Sequence, residues 1–203
     1  MENGFSHIEK EKRLNIINNA FNEFSIQGYK RSSLNTILKE SGLSKGFFYH
    51  HFKNKEEFYQ SLLEYAITVI ADKMQNVGLI EEKDFIKRLQ DGALHKIQVA
   101  KVYPSLFEFL ASHYLSVTPE EYTKLTERIT GDMATRMLTE NIDYSLFKDD
   151  VPIEVAMKVI HKYLGQVTIE LRNKVNIWTY KQIAEYYSNE LEDLKKVVYK
   201  KGV

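Results

Sequence analysis

The chain of 203 residues contains no cysteine. That excludes a disulfide framework, thiolate catalysis and thiolate metal ligands. It has three prolines and nine glycines, too few for a disordered or collagen-like chain. No apolar run approaches the roughly 18 residues a membrane-spanning helix needs, so no membrane partner is expected. The opening MENGFSHIEKEKR has no apolar signal core, and with the missing cysteine this fits a cytoplasmic setting. Net charge is zero, with 28 Lys/Arg against 28 Asp/Glu, so any polyanion must be met by a local patch rather than by the whole molecule. HExxH and glycine-rich phosphate loops are missing. His50 and His51 are adjacent, about 100° apart on a helix, and their nearest acid is Glu56. No metal, no cofactor and no enzyme activity are therefore expected.

What is present scans almost everywhere at helical period. The first apolar line is Ile17, Ala20 and Phe24, widened by Ile16 and Phe21, over about Glu9 to Ile26. Ser6 with Glu9 can form a capping box, and Gly28 a C-cap. A short helix follows from Ser33 to Glu40, capped by Ser32 or Ser33, with Leu34, Ile37 and Leu38 on one face. Gly42 ends it, and Ser44 caps a third helix, Lys45 to His51. Asn54 and Glu57 mark a fourth start as a second capping box. A fifth helix spans Asp84 to Val102, and Pro104 divides it from a short sixth. Thr118-Pro119-Glu120-Glu121 opens a seventh, whose apolar line runs through Tyr122, Leu125, Ile129, Met133 and Met137. Two long stripes finish the chain: Ile153, Ala156, Ile160, Leu164, Val167 and Leu171, then, after Asn176, Tyr180, Ile183, Tyr187, Leu191, Leu194 and Val198. The expectation is an all-α protein of about nine helices.

The segment Gly42–Phe52, GLSKGFFYHHF, puts five consecutive rings on one short helix. Phe48 and Phe52, four apart, share one face and are expected to pack with Leu43, Ile37 and Phe24. Lys45, Phe47, Tyr49 and His50 cannot all turn inward with them. Three short helices with a tight turn between the last two read as a helix-turn-helix, whose final helix fits a B-DNA major groove. Between Gly42 and Lys55 the only charges are Lys45, Lys53 and Lys55, with no acid. Lys45 can donate to phosphate or guanine, Tyr49 to phosphate, and Gly46 lets backbone approach DNA closely. Ser44 and Lys55 stand at helix starts, which favour phosphate oxygens.

These residues also carry a resemblance. Residues 9–58 resemble the N-terminal domain of the TetR family of transcriptional repressors, through Ile16, Ala20, Phe24, Gly28-Tyr29, Ser33, Ile37, Gly42-Leu43-Ser44-Lys45-Gly46, Tyr49, Phe52 and Lys55-Glu56-Glu57-Phe58. The resemblance implies that Ser33, Tyr49 and Lys55 meet phosphates, and that Lys45, Gly46 and His50 meet base edges or backbone in the groove. Departures lie at Asn19, Leu38 and Ser41, which touch packing, and at Phe47, where a small residue is usual. The Phe47 ring can lie on a thymine methyl or pack sideways against the first helix or the Lys53 stem.

The implied architecture is an N-terminal three-helix DNA-binding domain with helix-turn-helix at residues 1–53, followed by a helical effector-binding and dimerisation domain at residues 54–203. The expected partners are double-stranded operator DNA, a second copy held through the last two helices, and an unidentified small-molecule effector. Candidate effector contacts are Tyr103, Phe107, Leu110, His113, Tyr114 and Met133, with Met137, His161 and Trp178 beside them. The implied function is a ligand-responsive repressor. The alternatives are a helical interaction protein that binds no DNA, and an all-helical enzyme using buried carboxylates.

Overall fold

Helical periodicity becomes ten α-helices among the described residues of the computed structural model, which are 5, 7–172, 174 and 177–202. They are α1 (Lys10–Arg31), α2 (Leu34–Glu40), α3 (Lys45–His51), α4 (Lys55–Asn76), α5 (Phe85–Val102), α6 (Leu106–Tyr114), α7 (Pro119–Thr130), α8 (Met133–Thr139), α9 (Ile153–Arg172) and α10 (Tyr180–Val198). No strand occurs among the described residues; one isolated bridge joins Phe147 and Tyr199. The chain divides into two compact units: the described residues to Asp72 with Val99–Ala134, and Lys73–Gln98 with the residues from Thr135 onward. The division falls inside α4, α5 and α8.

In the first unit α1 presents Ile16, Ile17, Ala20, Phe21 and Phe24 as one buried stripe, the 3.6-residue period made solid. The helix is interrupted at Gly28, whose φ of 65° is left-handed. Glu9 occupies the N-cap without a side-chain cap bond, and Ser6 lies outside the described residues. Ser33 caps α2 by accepting from the Thr36 N–H. The turn after α2 is a Schellman motif: the Leu43 N–H donates to the Leu38 carbonyl (2.9 Å) and the Gly42 N–H to the Lys39 carbonyl (3.1 Å). Gly42 carries φ +66°, a conformation that costs a side-chain-bearing residue about 1 kcal/mol or more. The α4 start differs from a simple capping box. Asn54 accepts from the Glu57 N–H (2.8 Å), but the Glu57 carboxylate reaches back to the Lys53 N–H (2.7 Å), one residue beyond.

Phe48 and Phe52 are buried as expected, with Phe58 between 4.9 and 5.3 Å from both ring centres. Phe5 stacks onto the same cluster, 5.0 Å from Phe52. Fully burying a phenylalanine is worth about 1.5–3 kcal/mol, so this aromatic knot anchors α3 to α4 and α1. The expected seventh helix is divided at Gly131 (φ 62°, ψ −138°) into α7 and α8. Apolar spacing continues through the break, which is why periodicity alone runs the two together. The Thr118–Glu121 capping box forms in full.

In the second unit the two long C-terminal stripes bury each other. Ala156, Ile160, Leu191, Leu194 and Val198 share a core with Phe85, Ile86, Phe147 and Tyr199. Leu191 and Leu194 of the α10 stripe are thus buried within the chain. α10 begins with Thr179 and Gln182 in a capping box; Asn176 lies outside the described residues. The buried Arg88 guanidinium donates to the carbonyls of Ile80, Glu82, Met137 and Glu140, closing the end of α8 onto the start of α5.

Asp84 ties α5 to α10. It accepts from the Lys87 N–H (3.0 Å), the Lys195 ammonium (3.1 Å) and the Tyr199 hydroxyl (3.0 Å). Burial alone would raise its pKa, but these three donors outweigh burial and hold it below the usual carboxylate range. A depressed folded-state pKa gives stability that is present above the unfolded value and lost as pH falls through the folded value. Asp84→Asn is therefore expected to lose about 1–2 kcal/mol at neutral pH. In urea melts followed across pH, its deficit against the parent chain shrinks below about pH 4; a deficit that is constant with pH contradicts this role.

Candidate functional site

The outward face of α3 is built by elimination. Phe48 and Phe52 claim the inner side, so helical geometry turns Lys45, Gly46, Tyr49 and His50 outward, and all four are exposed. Tyr49 is 58% exposed, its ring edge-on to Phe48 at 5.2 Å. Phe47 is half-buried against the core, with its ring 4.8 Å from His51. Sideways packing thus describes much of its position, though its partner is His51 rather than Lys53.

Ser33 and Ser44 play the same part at two helix starts. Each hydroxyl oxygen accepts a backbone N–H, from Thr36 (3.2 Å) and Phe47 (3.1 Å). Neither hydroxyl proton has an acceptor among the described residues, so each can donate to an outside oxygen. The Ser33 N–H is held by the Glu23 carboxylate at 2.8 Å.

Lys55 is placed differently from the expectation. Its ammonium points into the first unit, donating to the carbonyls of Tyr29 (2.7 Å) and Ser32 (3.0 Å) and more weakly to the Ser32 hydroxyl (3.4 Å). It also lies 4.7 Å from the centre of the Tyr29 ring. Its three donors are used in holding the end of α1 to the start of α4, which leaves none for a phosphate.

The six candidate effector contacts stand in different settings. The Tyr103 hydroxyl pairs with that of Tyr65 at 2.6 Å, Leu110 is buried, and Phe107 packs on the core. Tyr114 is exposed, edge-on to Tyr122, and Met133 is half-buried. His113 borders a cleft of 490 Å³, which it shares with Gln27, Gly28, Tyr29, Lys30, Arg31, Glu56, Tyr59, Gln60, Ser116 and Val117. Met137, His161 and Trp178 belong to the second unit; Trp178 stacks against Lys174. The residues that sequence reading missed are Tyr29, Glu56 and Tyr59.

Among the described residues no group of three or more His, Asp or Glu side chains is arranged to hold a metal ion, and no helix is long and apolar enough to cross a membrane.

Residues 16–62 match the family model described as bacterial regulatory proteins, tetR family. The HTH-type transcriptional repressor AcnR of Corynebacterium efficiens is 28% identical over 162 residues, covering 76% of this chain and 77% of that protein. The uncharacterized HTH-type transcriptional regulator YerO of Bacillus subtilis is 39% identical over 67 residues, which cover 33% of this chain and only 23% of YerO. The ketosteroid transcriptional regulator KstR2 of Mycobacterium tuberculosis shares the fold, with a TM-score of 0.67 at 15% identity, covering 96% of this chain and 98% of that one.

Gly46 gives a test of the outward face. A Cβ added there meets only the Ser44 hydroxyl, at an ordinary 3.8 Å, so nothing in the folded chain requires glycine. Gly46→Ala is expected to keep or raise stability, by up to about 1 kcal/mol, while weakening duplex binding. A melting curve and a duplex titration on the same sample check both; unchanged duplex binding removes the close approach of DNA at this position.

Proposed function

We propose that the chain is a member of the tetR family of bacterial regulatory proteins, whose model residues 16–62 match, and a repressor that leaves its operator when a small molecule binds. The observation that carries the DNA reading is the division of α3 into a buried Phe48/Phe52 face and an exposed face of Lys45, Gly46, Tyr49 and His50. In this reading Lys45 and His50 meet base edges or phosphates, and Tyr49, Ser33 and Ser44 donate hydroxyl protons to phosphate oxygens. Backbone comes close at Gly46, and Phe47 offers its exposed edge. Lys55 acts through the fold by fixing the end of α1 against α4. Family members are regulators rather than enzymes, which sets the all-helical enzyme aside.

Residues 1–53 would dock on DNA and residues 54–203 would take the effector and a second copy. One recognition helix reads few bases, and a two-fold pair doubles the contacts at a fixed spacing. With Leu191 and Leu194 of α10 used internally, the most exposed large apolar side chains described on the last two helices are Val155 (49% exposed) and Val159 (38%) on α9, with Val197 (58%) on α10. Val155 and Val159, one turn apart, are the natural start of a self-complementary seam.

Two experiments test this. Lys45→Ala is expected to weaken binding to a duplex selected from a random pool and to lower the salt slope by about one if the ammonium serves a phosphate. Wild-type affinity and slope would remove Lys45 from the interface. Val155→Glu with Val159→Glu should give a folded monomer in sedimentation, because two carboxylates would be buried at the seam. A dimer that survives this pair places the contact elsewhere.

A further inference from the structure

We propose that the 490 Å³ cleft at the end of α1, walled by the start of α4 and the end of α6, binds a small aromatic carboxylate. This rests on the regulator reading, to which it adds a ligand class and a place. The volume lies within the usual range of small-molecule sites. At one wall sits His113, 8% exposed, with Nδ1 at 3.2 Å from the Tyr59 hydroxyl. Burial raises the Tyr59 pKa to about 12, so the phenol keeps its proton. Its hydroxyl has no other acceptor among the described residues, so it donates to Nδ1. That leaves the His113 proton on Nε2, a nitrogen with no hydrogen-bond partner among the described residues. Burial also lowers the His113 pKa, so the ring is a neutral N–H donor near pH 7.

The charges of the cleft wall choose the acceptor; Glu121, which is not part of that wall, also acts on His113. Lys30 and Arg31 border the same cleft, exposed and outside any ion pair among the described residues. Glu56 is the one carboxylate in the wall, and it is already taken by the Tyr29 hydroxyl and the Gln60 amide. The cleft therefore offers one N–H and two cations to an anion, and the rings of Tyr29 and Tyr59 to a flat apolar body. A cationic ligand would meet two like charges against the one Glu56 carboxylate, and an N–H that cannot accept from it.

Position gives the site its consequence. The Tyr29 carbonyl holds the Lys55 ammonium, which also holds Ser32, the residue before the α2 cap. A ligand leaning on Tyr29 bears on the turn that presents Ser33. It shifts DNA affinity only by its preference for one arrangement of that turn, and DNA shifts its affinity by the same factor.

The test uses the full chain without DNA and benzoate as probe, with benzamide and benzylammonium as neutral and cationic counterparts. His113 ring resonances are followed by NMR. Benzoate is expected to give a saturable shift at Nε2 and to bind about tenfold or more tightly than either counterpart. His113→Phe, shown to melt cooperatively, should lose about tenfold or more. Should that variant not fold, Lys30→Ala with Arg31→Ala carries the comparison and should weaken benzoate several-fold. The proposal is overturned by no saturable shift up to about 10 mM benzoate, by equal binding of benzylammonium, or by folded variants that bind benzoate like the parent chain. Benzoate binding as expected in a chain that binds no duplex would support the site and overturn the regulator reading instead.

Discussion

The burial of Phe48 and Phe52 on one side of α3 is the constraint from which the rest of the DNA-facing unit follows. Two phenylalanines four residues apart leave a seven-residue helix only one orientation, and that orientation decides which of its remaining side chains meet solvent. The knot they form with Phe58 and Phe5 joins α3 to the start of α4 and to the chain before α1. Polar side chains of α3 contribute little to this packing. They are free to vary with the surface they must recognise, while the aromatic face holds them at a fixed angle.

A second tie holds the turn between α1 and α2. Gly28 breaks α1, and the freed carbonyls of Tyr29 and Ser32 need donors close to the core, beyond the Ser32 hydroxyl that already donates to Tyr29. Lys55 supplies them from the first residue of α4. Tyr29 in turn stacks on Tyr59, which bonds His113 of α6. The route from α6 through α4 to the α2 cap is thus a chain of specific contacts inside one compact unit. A change at the end of α6 has a physical path to Ser33, and that is the property an effector-controlled DNA reader needs.

Legibility in the sequence divided along the same lines. The helix-turn-helix was readable because local signals coincide: the Ser33 and Ser44 caps, the left-handed Gly42 and the four-residue spacing of Phe48 and Phe52 all act within a few residues of one another. The inward turn of Lys55 was not readable, since its acceptors lie 26 and 23 residues away in the chain. The break at Gly131 was masked by apolar spacing that continues across it. The α10 stripe was found, but periodicity says only which side of a helix is apolar, not whether Phe85 and Ile160 of the same chain or a second copy will cover it. The lining of an effector site has no local signal in the sequence, because an aromatic residue on a helix reads the same in core and in cavity. Phe109 is buried in the core and Tyr103 packs against it half-buried, while an open cleft forms around Tyr29, Glu56 and Tyr59, which no motif marks.

The central claim is that one face of α3 is core and the other reads DNA. Residue-resolved NMR of the full chain, titrated with a duplex selected from a random pool, tests it most directly. The account predicts that the amides of Ser33 and of Ser44 through His50 shift on binding, while the ring resonances of Phe48, Phe52 and Phe58 stay where they are. Shifts gathered on another surface of the chain, with α3 unchanged, would contradict it.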